Sequence, residues 1–262
     1  MSTEDYITEL FCRVDDAMQA VEQPRQSKLT PAELVVIGLL FVLKGRGQRA
    51  FYRWLKRDWL ACFPQLTERT RLFRNLAAHQ DWVNMFLADP SLLGIIDSYG
   101  IELIHPYREG RSEQQMGRKG QSNHRWIVGI KLCLVINHLG AIVAWDFDTA
   151  NVYDGTAFQQ VVDQYADKMV IFSDVHFIKD DWQPTHLRPC PRGVWNDRML
   201  IETVFSMMTT VFALKRMRHR VPDTLRMHLA YAVALFNLLL NWSGLRPDDN
   251  GFVPLSIAQF SL

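Results

Sequence analysis

The sequence predicts an α/β protein: a mixed sheet flanked by helices, preceded by an all-helical N-terminal domain. Two observations predict it. Residues 1–90 carry apolar side chains at helical spacing with no alternating run. From residue 91 the period shortens, and apolar runs with β-branched members end on turn residues until helical spacing returns near residue 197. A chain of 262 residues with 48% hydrophobic content can bury a proper core, in one domain or two.

The helical part opens with a weakly amphipathic stretch at 4–21. Thr30-Pro31-Ala32-Glu33 is a helix start: Thr30 caps, Pro31 fits the first turn and Glu33 favours the positive end. The apolar helix 34–43 follows and stops near Gly45 and Gly47; further helical patterns cover 49–60 and 67–87. Arg49, Arg53, Lys56, Arg57, Arg69, Arg71 and Arg74 make this part basic, either as a solvated face or as a DNA backbone contact, without a convincing recognition helix. Asp89-Pro90 marks the break, because proline disfavours helix in the residue before it. The expected division is 1–90, 91–245 and a tail at 246–262.

Beyond the break, 94–104 is strand-like, 105–121 reads as a polar, exposed loop, and 126–137 pairs with 141–148 across Leu139-Gly140 as a hairpin. A helix is expected from Tyr153 to about Tyr165, then a strand at 168–173. The stretch 175–194, with three prolines, is irregular apart from a short strand at 186–188. A helix over 197–214 places Met199, Val204, Phe205, Met208, Val211 and Phe212 on one apolar stripe, and a buried helix at 222–242 ends the pattern.

The chemistry concentrates on three acids. Asp97 ends the apolar run Gly94-Ile95-Ile96, and Asp174 ends Val170-Ile171-Phe172-Ser173. A buried strand should not tolerate a lone carboxylate unless it is paired, hydrogen-bonded or holding a cation. Two strands that each deliver an aspartate to one end of a sheet suggest a carboxylate metal site. Glu202, between Ile201 and Thr203, is expected as an inward-facing third acid; a salt bridge to Arg198 four residues earlier is the competing structural reading. The order strand, strand, helix suits a two-metal phosphoryl-transfer site, in which carboxylates share two Mg²⁺ or Mn²⁺ ions.

These residues resemble the DDE transposases of bacterial insertion sequences, whose catalytic domain is RNase H-like. Ile96-Asp97-Ser98 looks like the family's first-aspartate strand, and Ile171-Phe172-Ser173-Asp174 like its second. Gly129-Ile130-Lys131-Leu132, then Gly140 and Asn151-Val152-Tyr153-Asp154, is similar to a G-x-K-L … G-N-x-x-D passage. Trp195-x-x-Arg198-x-x-x-Glu202 is similar to the Tyr-x-x-Arg-x-x-x-Glu signature, with Thr209 where a lysine often follows. The resemblance implies that Asp97, Asp174 and Glu202 are catalytic and hold two Mg²⁺ and that 91–245 is the RNase H-like catalytic domain; the basic residues of 1–90 make it the expected helical DNA-binding domain. It implies DNA cleavage and strand transfer on double-stranded DNA by a homo-oligomer. The alternatives are a catalytically decayed or repurposed relative that only binds DNA, and a host nuclease of the same fold.

Cations fit that expectation. Arg108, Arg111, Arg118, Lys119 and Arg125 form one basic cluster, and Lys215, Arg216, Arg218, His219 and Arg220 a second; both are expected against DNA phosphates, with Lys131 and Arg198 nearer the acids. Asn151 and Asp154 read as turn or cap residues. His176, His186 and Cys190 lack a fourth ligand for zinc, and no phosphate loop, serine elbow or Cys/His dyad appears. The four scattered cysteines read as reduced thiols, the polar start MSTEDYITELF is unlike a signal peptide, and no apolar run reaches the roughly 20 residues a membrane span needs. A soluble cytoplasmic protein is expected.

Overall fold

The computed structural model describes residues 2–25, 27–111, 113, 115–122, 125–178, 181–190, 198–217, 219, 221–244, 255–257 and 260. The chain divides into two units, one of residues 1–86, 223–235 and 260–262, the other of 87–222 and 236–259.

The first unit is helical. Helix α1 (Thr3–Met18) and helix α2 (Pro31–Lys44) both begin on capping boxes. In the second, the Glu33 N–H donates to Thr30 Oγ1 at 3.1 Å and the Thr30 N–H to Glu33 Oε2 at 2.7 Å, as the sequence predicts. Gly45, at φ 57°, ends α2 in the left-handed region. Residues 34–43 are all buried, so α2 is apolar all round and forms the centre of this unit. Gly38 is the point of closest approach: a Cβ there would sit inside the ring of Tyr231, which is itself buried. Helix α3 (Gln48–Asp58) buries only Phe51 and Leu55 and leaves its cations outside. The pattern expected to run from 67 to 87 divides into helix α4 (Arg69–Ala78) and a 3₁₀ turn, Gln80–Phe86. His79 stacks on Trp82 at 4.1 Å between ring centroids, a contact at three-residue spacing that suits the tighter turn.

The second unit is built on a six-stranded mixed sheet: β1 (Leu93–Ile104), β2 (Arg118–Ser122), β3 (Arg125–Asn137), β4 (Ile142–Thr149), β5 (Val170–Ser173) and β6 (Leu187–Pro189). The order is β2-β3-β1-β5-β6, with β4 also on β3. Strand β3 is antiparallel to β1, β2 and β4; β5 is parallel to β1 and to β6. The expected class, a mixed sheet flanked by helices with helices ahead of it, is what the chain forms.

One face of the sheet packs under helices α5 (Asp154–Ala157) and α6 (Gln159–Asp163), with Ile96, Cys133, Val135, Phe158, Val161 and Val162 in one buried cluster. The single helix expected from Tyr153 to Tyr165 is broken at Phe158, whose backbone at φ −116°, ψ 17° leaves the helical region. Helix α7 (Arg198–Val211) packs on β1 through Phe205, whose ring stacks on Tyr99 with centroids 5.4 Å apart. Met199 is exposed rather than on the apolar stripe, which Ile201, Val204, Phe205, Met208 and Phe212 carry instead. The last helix, α8 (Pro222–Ser243), is nearly all buried from Leu229 as expected. Its Asn237 side chain accepts from the Ile142 N–H and donates to the Ile142 carbonyl, both at 2.8 Å, where the β3–β4 register shifts.

The stretch expected as a loop, 105–121, contains β2. Polar side chains hid it, because its partnership rests on backbone pairing with β3 and two close approaches. A Cβ on Gly120 would meet the Ala150 carbonyl, and one on Gly129, which pairs with Arg118, would meet the Ile101 carbonyl. Neither backbone can yield cheaply, so Gly129→Ala is expected to cost about 2 kcal/mol. A melting temperature within a degree of the parent would refute that packing.

Candidate active site

Strand β1 is buried at 94–96 and half-buried at 97–100. The reason lies in its neighbour. Strand β5 pairs with β1 only along Leu93–Val170, Gly94–Ile171 and Ile95–Phe172, so the next residues of β1 have an open flank. Asp97 therefore does not sit in a strand closed on both faces, as the apolar run suggested; it opens into a cleft. Its Oδ1 accepts from the Ser98 N–H at 2.8 Å. Asp174 directly follows β5, just past the paired segment that ends at Ile95–Phe172, as Asp97 does on β1. Adjacent strands lie about 4.8 Å apart.

Asp97, Asp174 and Glu202 line one cleft of about 730 Å³. Glu202 comes from α7, one helical turn before the Phe205 ring that fixes this helix on β1. It is exposed rather than inward-facing, because it borders the open side of the cleft. Lys131, Asp154, Ser98, Tyr99 and Lys215 line the same space.

The fourth carboxylate is already engaged. Asp154 Oδ1 takes Lys131 Nζ at 2.8 Å, and its Oδ2 accepts from Ser98 Oγ at 2.8 Å. The Lys131 ammonium also donates to the Val152 carbonyl at 3.0 Å, and both side chains of the pair are about 15% exposed (15% and 14%). A lysine expected near phosphates thus neutralises a carboxylate in the cleft wall. Lys215 is different: it is exposed, with Nζ 5.9 Å from the centre of the Tyr99 ring. The Cys133 thiol, under this floor, is pushed well above its usual range by burial, and the carboxylates of Asp154, Asp97 and Asp146 add to the shift. That thiol is inert.

A family model described as the transposase DDE domain matches residues 88–222, just over half of the chain. The chain belongs to the DDE transposase family. No curated protein and no solved structure matches it. The match spans the whole sheet and the three acids, and the sheet with its flanking helices is consistent with the RNase H-like form of a DDE domain.

Within this DDE domain the other expected cations are distributed unevenly. Arg108, Arg118 and Lys119 are exposed on the β1–β3 connection and are not among the residues lining the cleft. Arg198 begins α7 and Arg216 ends a 3₁₀ turn, Leu214–Arg216; their side chains, and Arg218 and Arg220 altogether, lie outside the described residues, as do Trp195 and the His176 side chain. Burial lowers His219 to about 4, so it is neutral at pH 7 and adds no charge to the second basic cluster. His186 is buried with Nε2 3.1 Å from the Val162 carbonyl, a packing role. The four cysteines form no disulfide. Among the described residues no helix is long and apolar enough to cross a membrane.

The lining of the cleft, among the described residues, offers carboxylates and hydroxyls and no imidazole or thiolate, which suits hard ions such as Mg²⁺ or Mn²⁺. Among the described residues, no three His, Cys, Asp or Glu side chains stand close enough together to hold one ion as drawn. Asp97, at the end of the paired part of β1, and Asp174, directly after β5, line the same cleft as Glu202, so the oxygen donors present suit such an ion.

Proposed function

We propose that this DDE transposase cuts double-stranded DNA at the end of a mobile element and joins the freed end to a target. Asp97, Asp174 and Glu202 are its catalytic and metal-holding residues. The reading is supported by Asp97 and Asp174, each just past the paired segment of the parallel strands β1 and β5, lining one cleft with Glu202.

Divalent ions on these carboxylates would stabilise the attacking and leaving oxygens of an in-line displacement. In the first step water attacks phosphorus, the bond to the 3′ oxygen breaks and a 3′-hydroxyl is released. In the second that hydroxyl attacks a target phosphorus and displaces a 3′ oxygen there. The protein forms no covalent intermediate. Its own contribution is positional: Lys215 at the cleft, and Arg108, Arg118 and Lys119 beside it, hold the backbone of the strand. Basic residues of the helical N-terminal unit add sequence-independent affinity, and two copies on one pair of ends would synchronise the joining.

The test is a nicking assay on a duplex carrying the element's end. Cleavage is expected with Mg²⁺ or Mn²⁺, none with Ca²⁺ or EDTA, and the product should bear a 3′-hydroxyl that joins to a second duplex. Binding without cleavage under all metals would leave a DNA-binding protein and end the enzymatic reading. Cleavage without joining would leave a nuclease.

A further inference from the structure

The β1–β3 connection and the start of β3 each carry a large aromatic ring in water. Trp126 is 61% exposed and Tyr107 59% exposed, although burying either would have stabilised the fold. Each ring is attended by cations. Lys119 Nζ lies 5.7 Å from the centre of the Trp126 ring, and the guanidinium carbons of Arg108 and Arg111 lie 5.6 and 5.4 Å from that of Tyr107. Across residues 105–126 five Lys or Arg stand against two acids.

The Trp126 ring has a fixed relation to the cleft. Gln121, which lines it, is the direct cross-strand partner of Trp126. Side chains of directly opposite residues share a face, and Lys119 lies two residues from Gln121 on that face. A strand leaving the cleft past Gln121 therefore meets an exposed indole with an ammonium beside it.

We infer that Trp126 is a stacking platform for an unpaired base of the DNA strand that enters the cleft, with Lys119 on the adjoining phosphate. This rests on the reading that the cleft is where DNA is cut. A chain of alternating π-faces and anionic links is the ligand that a Trp–Lys pair fits. An intact duplex does not fit the ring, because its base faces are covered by their neighbours; only a frayed, overhanging or extruded base presents one. The class of ligand is thus single-stranded nucleotide next to the cut.

The experiment is fluorescence anisotropy with the full chain, in Ca²⁺, on an end-labelled duplex that is either blunt or carries a short single-stranded extension. Trp126→Ala is expected to weaken binding of the extended duplex about tenfold, with less than twofold change for the blunt one. Trp126→Phe, which keeps a ring, should restore most of the difference. Lys119→Ala should weaken both and lower the salt slope by about one. Equal loss on both duplexes, or none on either, overturns the platform. So does a wild-type dimer that Trp126→Ala converts to monomer in sedimentation, since the ring would then belong to a second copy. The nicking assay, run on the wild type in parallel, separates the two claims: absent cleavage removes the active-site reading, whereas cleavage with unchanged extended-duplex binding removes only the platform. Because Trp126 is exposed, the variants should melt with the parent.

Discussion

Asp97→Asn is expected to abolish metal-dependent cleavage, by a factor on the order of 10³ or more, while DNA binding stays within about twofold. The substitution changes charge and little else. Asparagine has the size of aspartate and keeps an oxygen to accept from the Ser98 N–H, the contact that orients the side chain. What it loses is the anionic oxygen that a hard cation requires. Asp174→Asn should behave alike, since Asp174 lines the same cleft directly after β5. The cations offered to DNA phosphates lie elsewhere, at Lys215 in the cleft and on the β1–β3 connection, so affinity should survive. Cleavage of an end-labelled duplex across a Mg²⁺ titration, beside anisotropy on the same duplex, measures both. Wild-type cleavage by Asp97→Asn would remove this residue from the chemistry and the assignment with it.

Much of this site was legible because burial and charge conflict in a readable way. An apolar strand that ends on an aspartate is anomalous, and Asp97 and Asp174 both show the anomaly. Local signals also sufficed for helix α2, whose cap is written in Thr30, Pro31 and Glu33. What stayed hidden depends on neighbours far along the chain. Strand β2 is polar, and only its pairing with β3 makes it a strand. The exposure of Asp97 follows from where β5 stops pairing, which no pattern within β1 records. Glu202 was expected inward because its neighbours are apolar, yet a helix residue beside an apolar stripe can border a cleft as easily as a core. The glycine and lysine of Gly129-Ile130-Lys131-Leu132 have separate causes: Gly129 yields to the Ile101 carbonyl, and Lys131 meets Asp154. Lysine amid apolar strand residues was a signal that some carboxylate waited nearby; its identity needed the fold. Trp126 carried no signal at all, since an aromatic residue at the start of a strand is usually core.

Asp154→Asn is the second large effect, and it acts through Ser98 and Lys131 rather than on substrate. The Lys131–Asp154 pair is mostly buried, at 15% and 14% exposure, and its carboxylate also orients the hydroxyl beside Asp97. Removing the charge leaves the ammonium in the cleft wall with only the Val152 carbonyl and an amide oxygen. Breaking such a pair from one side is expected to cost about 3 kcal/mol, a fall in melting temperature of roughly 6–10 °C for a chain of this size. Replacing both partners with apolar residues of similar shape, Lys131→Met with Asp154→Leu, should recover most of that loss, because no charge is left stranded. The stability of the double variant then exposes the second role. The Ser98 side chain is then untethered beside the N–H that orients Asp97, and the Mg²⁺ concentration for half-maximal cleavage should rise about 10- to 100-fold, as is usual when a ligand's support is weakened. A merely structural pair predicts the opposite, a restored melting temperature with an unchanged metal requirement. If each single variant melts within a degree of the parent, the ion pair does not hold the wall at all. The tether on the Ser98 hydroxyl beside Asp97 would then have no bearing on the metal.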